Sequence, residues 1–138
     1  MALLGYRFID HPSDVGMEVE GKTLVELFTN AAKGMLSLIA KPFPRDKMLT
    51  KELHINEQKL EEILHSFLTE ILWFVIKERF FPLEISIFRL DSCSIDAKLL
   101  GIRLNENELI GEVKAITYHQ LAIVKKARMW YTKVVFDV

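Results

Sequence analysis

Two stretches of this chain repeat their apolar residues at helical spacing, while nearly everything else alternates with a period of two. Leu24, Leu27, Phe28, Ala31, Met35, Leu38 and Ile39 form one helical stripe. Thr23-Leu24-Val25-Glu26 ahead of it reads as a capping box, with the threonine oxygen accepting from an early N–H and the glutamate reaching back. Pro42 and Pro44 are expected to end this helix, because proline lacks the N–H and restrains the residue before it. A second, longer helix is expected after Asn56 as cap, burying Leu60, Leu64, Phe67, Leu68, Ile71, Leu72 and Val75. Ile63, Trp73, Phe74 and Ile76 make its C-terminal half apolar almost all round. Such a helix is either covered on two sides or offers a contact surface to another chain; the sequence reading takes the first.

The period of two marks strands at Met17 and Val19, Leu53 and Ile55, Ile85 and Ile87, Ile95 to Leu99, and Trp130 to Phe136. Residues 112–118 and 120–124 look strand-like as well. The order strand, helix, strand, helix, then a run of strands predicts an α+β fold with two main helices packed on a largely antiparallel sheet. A length of 138 residues suits one domain over 1–138, and no repeat or linker interrupts it.

A formal net charge of -1 argues against a chain that grips nucleic acid by itself, since such modules carry a basic surplus. The clusters within 41–47 and at Lys125, Lys126 and Arg128 read as solvated loops. Cys93, the single cysteine, excludes an internal disulfide and a cysteine metal cage, and is expected as a small core or sheet residue. With no signal-peptide pattern and no long uncharged apolar run, cytoplasmic residence is expected.

Chemistry concentrates near the two ends. Asp10-His11-Pro12-Ser13-Asp14-Val15-Gly16 sets two acids beside a histidine, and the chain closes on Phe136-Asp137-Val138. Taken alone, Asp14 before Val15-Gly16 is ordinary turn chemistry, and His11 is weak evidence for a ligand or base. The C-terminus is harder to dismiss: it keeps strand alternation to its last residues, where ends ordinarily fray, so Phe136 is expected to plug the core while Asp137 faces outward. If the fold joins the two segments, up to four oxygen acids meet. Asp14, Asp137 and the Val138 carboxylate would then hold a hard divalent cation. Phosphate-binding glycine loops, metalloprotease histidine pairs and nucleophile elbows are missing from the sequence. Lys114 next to an acid reads first as a surface ion pair.

Asp10 to Gly16, Thr23-Leu24-Val25-Glu26-Leu27-Phe28, Ala31-Ala32-Lys33-Gly34-Met35, Glu112-Val113-Lys114-Ala115-Ile116-Thr117-Tyr118-His119 and the terminal Phe136-Asp137-Val138 together resemble the archease family, in family order. Asp10 stands where that family usually has glutamate, Pro12-Ser13 replaces threonine-alanine, and residues 101–111 lack a glycine-glutamate pair and a histidine common there. The resemblance implies a protein cofactor, not an enzyme, that assists a GTP-dependent RNA ligase of tRNA splicing and RNA repair. That ligase passes through a histidine-guanylate, and the cofactor speeds guanylylation and restores multiple turnover. The resemblance also implies a divalent-metal site at Asp14, Asp137 and Val138, for calcium first and magnesium or manganese as alternatives; Asp10, His11 and Lys114 become candidates for docking the ligase, with RNA reached only through it. Two other readings stand beside it: a metal-dependent phosphoester hydrolase using the same acids with His11 as base, and a general chaperone presenting Trp73 and Phe74 to clients.

Overall fold

A computed structural model describes residues 5–10 and 14–138. Its elements are β1 (Tyr6–Asp10), β2 (Asp14–Gly21), α1 (Leu24–Ser37), β3 (Leu49–Asn56), α2 (Leu60–Glu78), β4 (Phe80–Leu90), β5 (Ser94–Arg103), β6 (Ala115–Ile116), β7 (Val124–Lys126) and β8 (Met129–Asp137). The expected α+β class holds, with the strands divided between two antiparallel sheets. One runs β1-β2-β8-β6, with β7 also paired to β8, and the other runs β3-β5-β4. Both helices touch both sheets. Between them lies one core in which Met17, Phe28, Phe67, Ile71, Leu99, Val134 and Phe136 are fully buried.

Helix α1 starts where its cap predicts. Thr23 is extended, and its Oγ1 accepts from the Glu26 N–H at 3.0 Å. Only this half of the box forms among the described residues; the reciprocal pattern sits instead at Asn105 and Glu108, on a short 3-10 turn. Thr23→Ala should therefore cost about 1 kcal/mol, measurable by urea unfolding. Gly34 lets α1 lie close against the first sheet, since a Cβ there would meet the Met17 sulfur at 2.3 Å and the Tyr6 ring.

Three features differ from expectation, the first two because strand pairing outcompetes a local signal. Helix α1 ends at Ser37 rather than at Pro42, because the following residues are drawn into a bridge between Ala40 and Leu109, with the Ile110 N–H donating to Ile39 O at 2.8 Å. Asn56 does not cap α2: it stays in β3 opposite Ser94, and Lys59 takes the cap position. In the 112–124 region only Ala115–Ile116 and Val124–Lys126 form ladders, and the buried residues Val113 and Ile116 are three apart, so the alternation expected there fails. Cys93 is not a core residue either. It is exposed in the turn after β4, where the Asp91 carboxylate accepts from the Cys93 and Ser94 N–H groups, each at 2.9 Å.

Across the outer face of the β3-β5-β4 sheet, His54 Nδ1 lies 2.8 Å from Asp96 Oδ1 and Nε2 lies 3.7 Å from Glu52 Oε2. The hydrogen bond to Asp96, reinforced by the charges of Asp96 and Glu52, raises the imidazole pKa above its ordinary 6.5. Because the folded pKa is the higher one, this stabilisation is present below about pH 6.5 and is lost as pH rises through the folded value. The unfolding midpoint in urea should fall across that window, and His54→Gln should flatten the fall.

Candidate functional site

The two chain ends meet in the first sheet. Strand β2 lies antiparallel to β8 along its whole length, from Gly21 opposite Trp130 to Asp14 opposite Asp137. Residues directly opposite in an antiparallel pair project to the same face with Cβ atoms about 4.5–5.5 Å apart. The Asp14 and Asp137 carboxylates therefore share one face at the end of the sheet, Asp14 half-buried and Asp137 exposed. Val138, exposed, follows directly. Phe136 points the other way and is fully buried, as alternation predicts.

The end of β8 is held from both sides. Opposite β2, β6 pairs Ala115 with Asp137 and Ile116 with Phe136, and the Lys114 N–H donates to the Asp137 carbonyl at 2.7 Å. The Thr117 N–H adds a bond to the Val135 carbonyl at 2.9 Å. This short strand is latched to α2 in turn. His65 Nε2 lies 2.7 Å from the Ile116 carbonyl, its ring stacks on Tyr118 at 3.8 Å, and the Glu61 carboxylate accepts from the Ile123 N–H at 3.0 Å. Burial raises the Tyr118 hydroxyl above its ordinary value of 10.0, as do the charges of Glu62 and Glu57, so it remains a neutral phenol.

Of the docking candidates, Lys114 is exposed and makes no ion pair among the described residues, contrary to the first reading of it. Asp10 ends β1 in register with Val15, one position from Asp14. His11 lies outside the described residues. Sequence reasoning underrated a pair of open grooves beside this end. One, of about 470 Å³, runs between the end of α1, the C-terminal half of α2 and residues 109–114. The other, of about 310 Å³, lies between α2 and β6; Leu72, Ile76 and Lys114 line both. Trp73 and Ile76 are 54% and 49% exposed, so the two-sided cover expected for α2 ends short of its last turns. Their signal was the apolar girdle of α2, which the first reading assigned to the core.

Two carboxylates facing each other across a strand pair repel one another. Their oxygens, with those of a Val138 carboxylate, would make an all-oxygen donor set, which is the chemistry that calcium, magnesium and manganese ions take. The residues present thus fit a hard divalent cation. Among the described residues, no group of three or more histidine, cysteine, aspartate or glutamate side chains that could hold a metal ion forms, at this sheet end or elsewhere.

The sequence model of the archease protein family (MTH1598/TM1083) matches residues 6–138. A protein archease of Methanosarcina barkeri is 33% identical over 143 residues, covering 96% of this chain and 95% of that protein. One from Saccharolobus islandicus is 31% identical over 136 residues, with 96% and 98% covered. Among solved structures, that of Methanobacterium thermoautotrophicum protein 1598 superposes with a TM-score of 0.76 at 24% identity, covering 97% of this chain and 99% of that one. The Thermotoga maritima structure described as an archease and possible chaperone gives 0.66 at 23%, with 94% of each covered. The fold is an antiparallel α+β one, and the matches identify its class: the chain belongs to the archease family. No helix among the described residues is long and apolar enough to cross a membrane.

Proposed function

We propose that this chain is the protein cofactor of a GTP-dependent RNA ligase, which it docks through its acidic sheet end to promote ligase guanylylation and multiple turnover. The observation that carries the reading is the cross-strand pairing of Asp14 with Asp137 in a chain of this family. Asp14, Asp137 and the Val138 carboxylate would hold a divalent cation, which when bound offsets their repulsion and leaves coordination positions for oxygens of a nucleotide phosphate. Around it the chain's own groups act by position. The Lys114 ammonium lines the grooves along α2, where it would meet an anionic group of the partner, and those grooves would accept apolar side chains of its surface. The guanylate is transferred on the ligase, so this chain needs no nucleophile. The test is multiple-turnover ligation by the cognate ligase with and without the protein: stimulation supports the reading, and an unchanged rate removes it.

Exposed Trp73 and Ile76 favour a second reading, a general chaperone that covers apolar client surfaces. It predicts suppression of aggregation by unrelated clients, undiminished by Asp14→Ala or Asp137→Ala. A phosphoester hydrolase would instead show metal-dependent turnover by this chain alone.

A further inference from the structure

At the far end of β8 from the acids stands the β7–β8 hairpin, whose composition is opposite. From Met129 to Asp137 the strand spans eight steps, about 26 Å at roughly 3.3 Å per residue. The tip turns through Ala127, in the left-handed region at φ 55°, and carries Lys125, Lys126 and Arg128, all exposed. Lys22, also exposed, leaves the end of β2 at the same place, since Gly21 is opposite Trp130. None of these four cations forms an ion pair among the described residues. The nearby acids are engaged: Glu61 holds the Ile123 N–H, and Glu20, opposite Tyr131, has a partner of its own. The net charge of -1 thus conceals a separation of charge between the two ends of one strand.

The cations are interleaved with aromatic rings. Lys125 Nζ lies 5.4 Å from the centre of the Trp130 ring, its cross-strand partner. Lys126 Nζ lies 5.1 Å from the Tyr131 ring, two residues along from its own partner, Met129. Strand alternation puts these pairs on opposite faces of the hairpin, with Arg128 between them at the tip. Each face therefore offers one cation to a phosphate and the exposed part of one half-buried ring to a base, Trp130 packing against the core behind it and Tyr131 hydrogen-bonded to Glu18.

We infer that the β7–β8 hairpin is a binding site for single-stranded nucleic acid, with Lys125, Lys126 and Arg128 contacting backbone phosphates and Trp130 and Tyr131 stacking on bases. A flexible strand passing round the tip reaches both faces, whereas a flat anionic bilayer reaches only one. Alternation of cation and ring also matches the alternation of phosphate and base along a strand. Direct contact of this kind would add to the expectation that RNA is reached through a partner. The inference stands apart from the ligase reading, because it concerns what the chain binds alone.

The test titrates a fluorescein-labelled 12-nucleotide RNA with the full chain at low salt, following anisotropy. Binding should weaken with salt along a slope of about −2 in log K against log salt, as three phosphate contacts on a single strand give. Lys125→Gln/Lys126→Gln/Arg128→Gln should lose tenfold or more in affinity, and Asp14→Ala/Asp137→Ala should lose none. In a Trp73→Phe chain, whose single remaining tryptophan is Trp130, the RNA should quench the emission. Absent binding, equal binding by the triple variant, unquenched Trp130 or equally tight binding to phosphatidylserine vesicles would each overturn the assignment.

Discussion

Asp137→Ala should leave the chain folded and remove about tenfold or more of its stimulation of multiple-turnover ligation, the scale on which charge count tunes cation sites. Stability should not fall with it. Asp137 is exposed at the end of β8 and lies opposite a like charge, so deleting its carboxylate relieves repulsion and opens no cavity. Asp14→Ala should lose stimulation to a similar extent, from the other strand. The two substitutions together should do little more than either alone, because both remove one shared site. Urea unfolding of Asp137→Ala beside the ligation assay separates this outcome from general damage: lost stimulation with an unchanged or raised midpoint is expected.

Phe136→Ala should give the opposite signature. The ring is fully buried between Val15 and Ile116, its register partners on the flanking strands. Deleting it loses the transfer free energy of the ring and leaves a cavity under three strands, costing about 3–5 kcal/mol. For a domain with a total stability of about 5–15 kcal/mol, that is a large share, and the midpoint in urea should drop accordingly. Stimulation should fall only where the fraction of folded chain falls. Neighbouring residues of one strand thus divide the labour, Phe136 anchoring the end that Asp137 presents.

This division was legible in the sequence because strand alternation assigns opposite faces to consecutive residues. The helices were legible too, since an apolar stripe at helical spacing has one economical reading and Thr23 marked its start. What could not be read were outcomes decided by competition over distance. Asn56 is as good a cap as Lys59 is a poor one, but β5 holds Asn56 in a ladder opposite Ser94. Pro42 is a strong stop, but Leu109 captures Ala40 first. At the candidate site, the convergence of residues 14 and 137 was only a condition in the sequence, because no local pattern fixes which strands become neighbours. The register supplies it. The grooves beside Lys114 escaped notice because they exist only once α2, residues 109–114 and β6 are assembled, and the apolar girdle that walls them is equally consistent with burial. Charge separation along β8 was hidden by summation: opposite charges at the two ends of a strand cancel in the total.

The central claim is that Asp14, Asp137 and Val138 hold one cation between the joined ends of the chain, and calcium titration calorimetry tests it most directly. The untagged chain should bind one ion, with affinity lost in both Asp14→Ala and Asp137→Ala. Equal affinity in all three proteins, or no binding to the parent chain, would contradict it.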